Sequence, residues 1–160
     1  MDRCYALGGS SGEKSIMLDI ESVNHVGIRI SNLSRSVSFY ETLGFKQTLD
    51  AGFEQGHPII MVHPGGVVIN LLGPATVRDG SNILMDGDDK YTGFTHVALT
   101  VKSLAAASDF VTGNDIAITG SFSFGTMSAI FIRDPDGNVI ELDAYEKTEC
   151  PDPDGYSTQA

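Results

Sequence analysis

Hydrophobic and polar residues alternate at the start of two stretches of this chain, and each stretch soon switches to near-helical spacing. In the first, Val26, Ile28 and Ile30 alternate with His25, Gly27 and Arg29; in the second, Val97, Leu99 and Val101 alternate with His96, Ala98 and Thr100. A period of two marks a half-buried strand and puts each histidine opposite the apolar side. Leu33, Val37, Tyr40 and Leu43 then recur as one stripe of a short helix, with Asn32 or Ser34 as cap and Gly44 as stop. The counterpart runs from Ser103 through Leu104, Ala107, Phe110 and Val111 to Gly113, richer in Ala and weaker in its stripe. Three further strands are predicted in each stretch, at about 45–49, 58–63 and 67–72 and at about 116–119, 126–133 and 138–144. Both stretches read βαβββ.

A single offset of 71 residues superposes the two stretches without a gap. His25 falls on His96 and Asn70 on Glu141, while His-Pro-Gly-Gly-Val-Val-Ile-Asn-Leu (63–71) meets Asp-Pro-Asp-Gly-Asn-Val-Ile-Glu-Leu (134–142). The Pro and Gly of these segments supply the dihedrals of tight hairpin turns. The period is too long for a solenoid and fits two half-domains closing on each other. In the final strand Ile140 and Leu142 are expected on one face, with Val139, Glu141 and Asp143 on the other.

The expected fold is therefore α+β, two tandem βαβββ modules at about 22–73 and 93–146 within a folded unit of residues 21–146. Each module has one sheet face for its helix and another that must meet a partner. Two modules side by side form a cup-shaped open barrel with the polar-facing donors at its floor. Residues 73–92, with Gly, Pro, Asp and Asn and little periodicity, read as the linker. Residues 1–20 and 147–160 read as a loosely held Gly/Ser-rich start and a polar, proline-broken tail.

At 160 residues, 41% hydrophobic and 19% charged, the chain has the composition of a globular domain with a core. A net charge of −11 argues against nucleic acid or an anionic membrane as partner. Cys4 and Cys150 stand far apart without zinc-site or disulfide-scaffold spacing, which points to a reducing compartment. No run of about 18 apolar residues is present, and the start lacks an apolar signal core, so a cytoplasmic location is expected.

Two imidazoles and a carboxylate suit a divalent ion such as Zn, Ni, Mn or Fe(II) with open coordination positions. His25, His96 and Glu141 are that set, with Asn70 as a weak fourth donor. Arg29 and Thr100 follow each histidine by two residues on the same strand face and are candidate substrate contacts, as are Phe122, Phe124 and Met127 on an apolar wall. His57 and His63 stand in or beside turns and are assigned surface or hairpin roles.

The first strands Asn-His-Val-Gly-Ile-Arg-Ile (24–30) and Thr-His-Val-Ala-Leu-Thr-Val (95–101), and above all Ile-Arg-Asp-Pro-Asp-Gly-Asn-Val-Ile-Glu-Leu (132–142), resemble the glyoxalase/bleomycin-resistance/extradiol-dioxygenase family, the vicinal oxygen chelate superfamily. The resemblance spans about residues 22–146. It implies one divalent metal held by His25, Asn70, His96 and Glu141, and modules that pair either within a chain or across a dimer. Asn70 departs from the Glu or Gln usual at that position in glyoxalase I-like members. It is one methylene shorter and cannot act as a base.

Three activities compete. The first is a glyoxalase I-like lyase or isomerase, in which vicinal substrate oxygens chelate the metal and Glu141 moves the proton. The second is an Fe(II) extradiol-type dioxygenase using His25, His96 and Glu141. The third is a non-catalytic, bleomycin-resistance-like ligand-binding protein. The retained donors favour a metal-dependent enzyme acting on a small molecule, and a homodimer is expected because two-fold assemblies are the commonest oligomers.

Overall fold

A computed structural model describes residues 18–76 and 81–146, so the readings made for residues 1–17 and 147–160, Cys4 and Cys150 included, lie outside the described residues. The chain order is β1 (Val26–Arg29), α1 (Leu33–Thr42), β2 (Lys46–Asp50), a single 3-10 turn (Phe53–Gln55), β3 (Ile59–Val62) and β4 (Val68–Leu72), followed by β5 (His96–Thr100), α2 (Leu104–Gly113), β6 (Ile118–Phe124), β7 (Met127–Arg133) and β8 (Val139–Tyr145). Two four-stranded sheets result, ordered β1-β4-β3-β2 and β5-β8-β7-β6, with the first strand of each parallel to the last. No helix among the described residues is long and apolar enough to cross a membrane.

The duplication holds at the level of register. Gly27 stands opposite Asn70 as Ala98 stands opposite Glu141, and Ile60 opposite Asn70 as Phe131 opposite Glu141. Even the irregularity repeats: β2 slips between Gln47 and Leu49, and β6 between Ile118 and Gly120. At each slip a threonine hydroxyl donates to the neighbouring strand, Thr48 to the Ile60 carbonyl at 3.3 Å and Thr119 to the Phe131 carbonyl at 3.2 Å. A bulge leaves one residue without its ladder partner, and the hydroxyl gives that residue another contact with the opposing strand.

Both helices start on side-chain caps. The Asn32 carboxamide accepts from the Arg35 amide at 2.9 Å, which settles the choice between Asn32 and Ser34, and the Ser103 hydroxyl accepts from the Ala106 amide at 3.2 Å. Each cap satisfies an amide that the first helical turn leaves unpaired. Beneath the helices lies a shared core in which Ile30, Ile59, Met61, Ile69, Leu71, Ile132 and Ile140 are fully buried.

One expectation needs correction. Strand β6 runs to Phe124 rather than ending at 119, because Ser121-Phe122-Ser123-Phe124 alternates with period two and turns only at Gly125, where φ is +58°. Strand β8 keeps its two expected faces, and both are covered: Val139 through Asp143 are all buried in a strand that lies between β5 and β7. The residues of the 73–92 linker that are described form turns and irregular chain, tied to the last hairpin. Asn82 donates to the Gly137 carbonyl at 3.2 Å, and Arg133 pairs with Asp86 at 2.8 Å.

The modules are clasped by polar contacts between α1 and the β7–β8 turn. The Asp136 carboxylate accepts from the Ser31 amide at 3.0 Å and from the Ser31 hydroxyl, and it pairs with Arg35 at 2.8 Å. Behind it, the Tyr40 hydroxyl donates to Asp134 at 3.0 Å. Partial burial pushes the Asp136 carboxyl up, but the hydrogen bonds from Ser31 and the charge of Arg35 outweigh it and hold it below the usual range. A carboxyl depressed on folding stabilises the native state above its unfolded pKa, and that contribution is lost as pH falls through the lower folded value. Asp134 works the other way, its carboxyl raised by burial, so what it adds is present in acid and fades as pH rises. Asp136→Asn should therefore flatten the loss of stability below about pH 4, as read from urea midpoints across acidic pH.

Candidate metal centre

Residues directly opposite on neighbouring strands project to the same side of a sheet. In the second sheet, Ala98, Glu141, Phe131 and Gly120 form one such row, and Thr100, Asp143, Ala129 and Phe122 the next. Tyr145, Met127 and Phe124 complete the third. His96 begins the same side of β5, so Glu141, Thr100, Phe122, Phe124 and Met127 share one face with it. In the first sheet Gly27, Asn70 and Ile60 make the matching row, with Arg29 beside Leu72 next along. The faces opposite these two are the ones that fill the core.

His96 and Glu141 meet on the second face, Nε2 to Oε2 at 3.0 Å. Two ligands bound at about 2.1 Å and roughly at right angles are about 3 Å apart, so the pair already has the spacing of two donors on one ion. The Phe131 ring stands edge-on to the imidazole, 6.2 Å between centroids, and fixes its plane. Glu141 is nearly buried while His96 remains open.

His25 and Asn70 occupy the repeat-equivalent places on the first face. The Nδ1 of His25 lies 2.8 Å from the Asn24 carboxamide oxygen, which can only accept. In the tautomer that donates Nδ1–H to that oxygen, Nε2 presents the lone pair a metal requires. Asn24 has a counterpart in Thr95, whose hydroxyl is 2.9 Å from the Nδ1 of His96. These two orienting residues were missed in the sequence, although the 71-residue offset pairs them. Strand alternation assigns a neighbour in sequence to the other face, and their reach around the chain is a side-chain property.

Among the described residues, the buried Asn70 carboxamide oxygen has no hydrogen-bond partner, nor has one carboxylate oxygen of Asp143. An orphaned buried acceptor costs free energy unless a donor or cation reaches it. The sequence places Asp143 on the Glu141 face but about 7 Å further along the strand, too far to share an ion with it directly.

The donor set fits a divalent ion in chemistry but is divided in space. Among the described residues no three His, Cys, Asp or Glu side chains cluster closely enough to hold a metal. His96 and Glu141 form one half, and His25 with Asn70 stand on the other sheet. Of the remaining candidates, Arg29 and Thr100 are exposed beside the donors, Met127 is half-buried, and Phe122 and Phe124 are 51% and 76% exposed. Exposed aromatic area of this kind is what ligand and partner contacts commonly cover. His63 keeps to its hairpin, its Nδ1 accepting from the Gly65 amide at 2.9 Å.

The chain matches the family model for the glyoxalase/bleomycin resistance protein/dioxygenase superfamily over residues 22–142. It is 31% identical over 126 residues to a lactoylglutathione lyase of Escherichia coli O157:H7, covering 74% of this chain and 88% of that one. It is 27% identical over 139 residues to the virulence protein STM3117 of Salmonella typhimurium, covering 82% and 90%. Its fold also matches the crystal structure of a glyoxalase/dioxygenase from Nostoc punctiforme, with a TM-score of 0.64 at 19% identity over 85% of this chain and all of that one. With two βαβββ modules in common register and this match along most of its length, the chain belongs to the glyoxalase/bleomycin resistance protein/dioxygenase superfamily.

Proposed function

We propose that this chain is a metal-dependent lyase or isomerase of the glyoxalase I type, acting on a small molecule with vicinal oxygens. We further propose that its site forms between two copies of the chain. The observation that carries the reading is the division of the donors: His96 and Glu141 3.0 Å apart on one open face, His25 and the unpartnered Asn70 oxygen on another. The lactoylglutathione lyases among its relatives support the reaction class.

His25, His96 and Glu141 would hold the ion, with Asn70 as the neutral fourth donor. When bound, a divalent ion supplies Lewis acidity that polarises a substrate carbonyl. Glu141 would take the proton from the carbon beside that carbonyl, since Asn70 has no basic atom. The Asn24 and Thr95 contacts hold the two imidazole planes. Phe122, Phe124 and Met127 form the apolar wall against which a substrate body would lie and from which water is displaced, and Arg29 and Thr100 offer donors to its polar groups.

Metal content and isomerase or lyase activity toward a panel of hemithioacetals test this reading. Asn70→Glu adds a carboxylate and should tighten metal binding and move the pH profile of proton transfer. Asn70→Ala should weaken both. Unchanged metal content and rates in both variants would remove Asn70 from the site, and cleavage of a catechol with oxygen uptake would replace the lyase by the dioxygenase.

A further inference from the structure

The duplication allows one region of the molecule to be compared with its own copy. Where α1 meets the β7–β8 turn, Arg35, Ser36 and Tyr40 fill the space against Asp134 and Asp136. At the repeat-equivalent place α2 faces the β3–β4 turn, and the same positions hold Ala106, Ala107 and Val111 against His63 and Gly65. Each bridging side chain of the first contact has been cut back in the second. What remains is a cavity of about 700 Å³ at the edge of β5, within the size range of small-molecule sites. Leu99, Val101 and Leu142 of the core-facing side are among its walls, Ala98 and Thr100 border it along the β5 edge, and none of His25, Asn70, His96 and Glu141 belongs to its lining.

The polar groups on its lining favour one charge. The lining holds no carboxylate, although Asp and Glu outnumber Lys and Arg by 21 to 10 in the chain. Lys102 is exposed at the rim and makes no ion pair among the described residues. Because Nδ1 of His63 accepts from Gly65, the neutral ring carries its proton on Nε2, which has no hydrogen-bond partner among the described residues. Lys102 and His63, with the hydroxyls of Thr100 and Ser103, are the polar side chains of a lining that is otherwise apolar.

We propose that this cavity is a second binding site, for a small amphipathic anion whose hydrocarbon or aromatic body lies on α2 and β5 and whose anionic end meets Lys102 and His63. In a chain of net charge −11, an anion is repelled elsewhere on the surface and is held where local cationic groups offset that field.

Decanoate is a suitable probe, titrated calorimetrically into the full-length chain with chelator present so that no metal can bind the carboxylate. The expected result is one decanoate per chain with a negative heat-capacity change. His96→Ala should leave this unchanged. Ala106→Trp, placed at an exposed helical position that tolerates bulk, and Ala107→Phe should each weaken it by more than tenfold. Lys102→Gln should weaken it by about tenfold, the equivalent of one charge-assisted hydrogen bond. Absence of saturable binding would overturn the proposal, as would equal affinity in a folded Ala106→Trp variant. Conversion of a dimer to a monomer by Ala106→Trp would also overturn it, assigning the face to a second copy of the chain.

Discussion

Replacing His96 or Glu141 with Ala is expected to strip the divalent ion from the protein and to lower proton-transfer activity by roughly 10²- to 10⁴-fold. The two side chains are the only members of the donor set in mutual contact within one chain, 3.0 Å apart. Loss of either removes a strong donor and leaves the other without its partner. Glu141→Gln separates the roles further: it keeps the volume and an oxygen donor while removing the base, so it should retain more metal than Glu141→Ala yet remain as inactive. Elemental analysis of chelator-free protein, alongside circular dichroism to confirm the fold, reads both outcomes. Full metal content in His96→Ala would remove that residue from the site.

The largest effect on stability is expected at Tyr40, which is fully buried and bridges the modules. Its ring packs edge-on against Phe39 and Phe45, at 5.2 and 5.8 Å between centroids, and its hydroxyl donates to Asp134. Burial, reinforced by the charge of Asp134, raises the phenol far above its ordinary pKa, so the donor stays protonated. Tyr40→Ala should cost about 3–5 kcal/mol through the cavity it leaves, with a further loss from the hydrogen bond removed at Asp134, whose carboxylate then keeps only Asn138 and the Asp136 amide. Tyr40→Phe isolates that second part and should cost about 1–3 kcal/mol. Denaturant titration of the two variants separates packing from hydrogen bonding.

Much of the architecture was legible because the two modules repeat. The alternation around His25 and His96 gave both first strands, and the Pro-Gly turns gave both last hairpins, since these signals are local. Strand β6 was cut short because Gly120 and the serines around Phe122 resemble loop composition, and pairing with β7 is what makes them a strand. The burial of both faces of β8 was hidden for a related reason: alternation in sequence reports on one strand, whereas position within a sheet depends on its neighbours. The candidate donors are picked out in the sequence by the offset of 71 residues, and Arg29 and Thr100 by the strand faces they share with them. Their division between two sheets is not, because the packing of one module on the other is set by contacts such as Tyr40 with Asp134, which lie 94 residues apart.

The central claim is that each site takes His25 and Asn70 from one copy of the chain and His96 and Glu141 from another. Mixing two inactive variants, His25→Ala and His96→Ala, under conditions that exchange subunits tests it most directly. In a heterodimer both substitutions fall into one site and the other site is whole. Statistical mixing of equal amounts should therefore restore about one quarter of wild-type metal content and activity. No recovery despite demonstrated subunit exchange would contradict the shared site, and a folded monomer with full activity would contradict it equally.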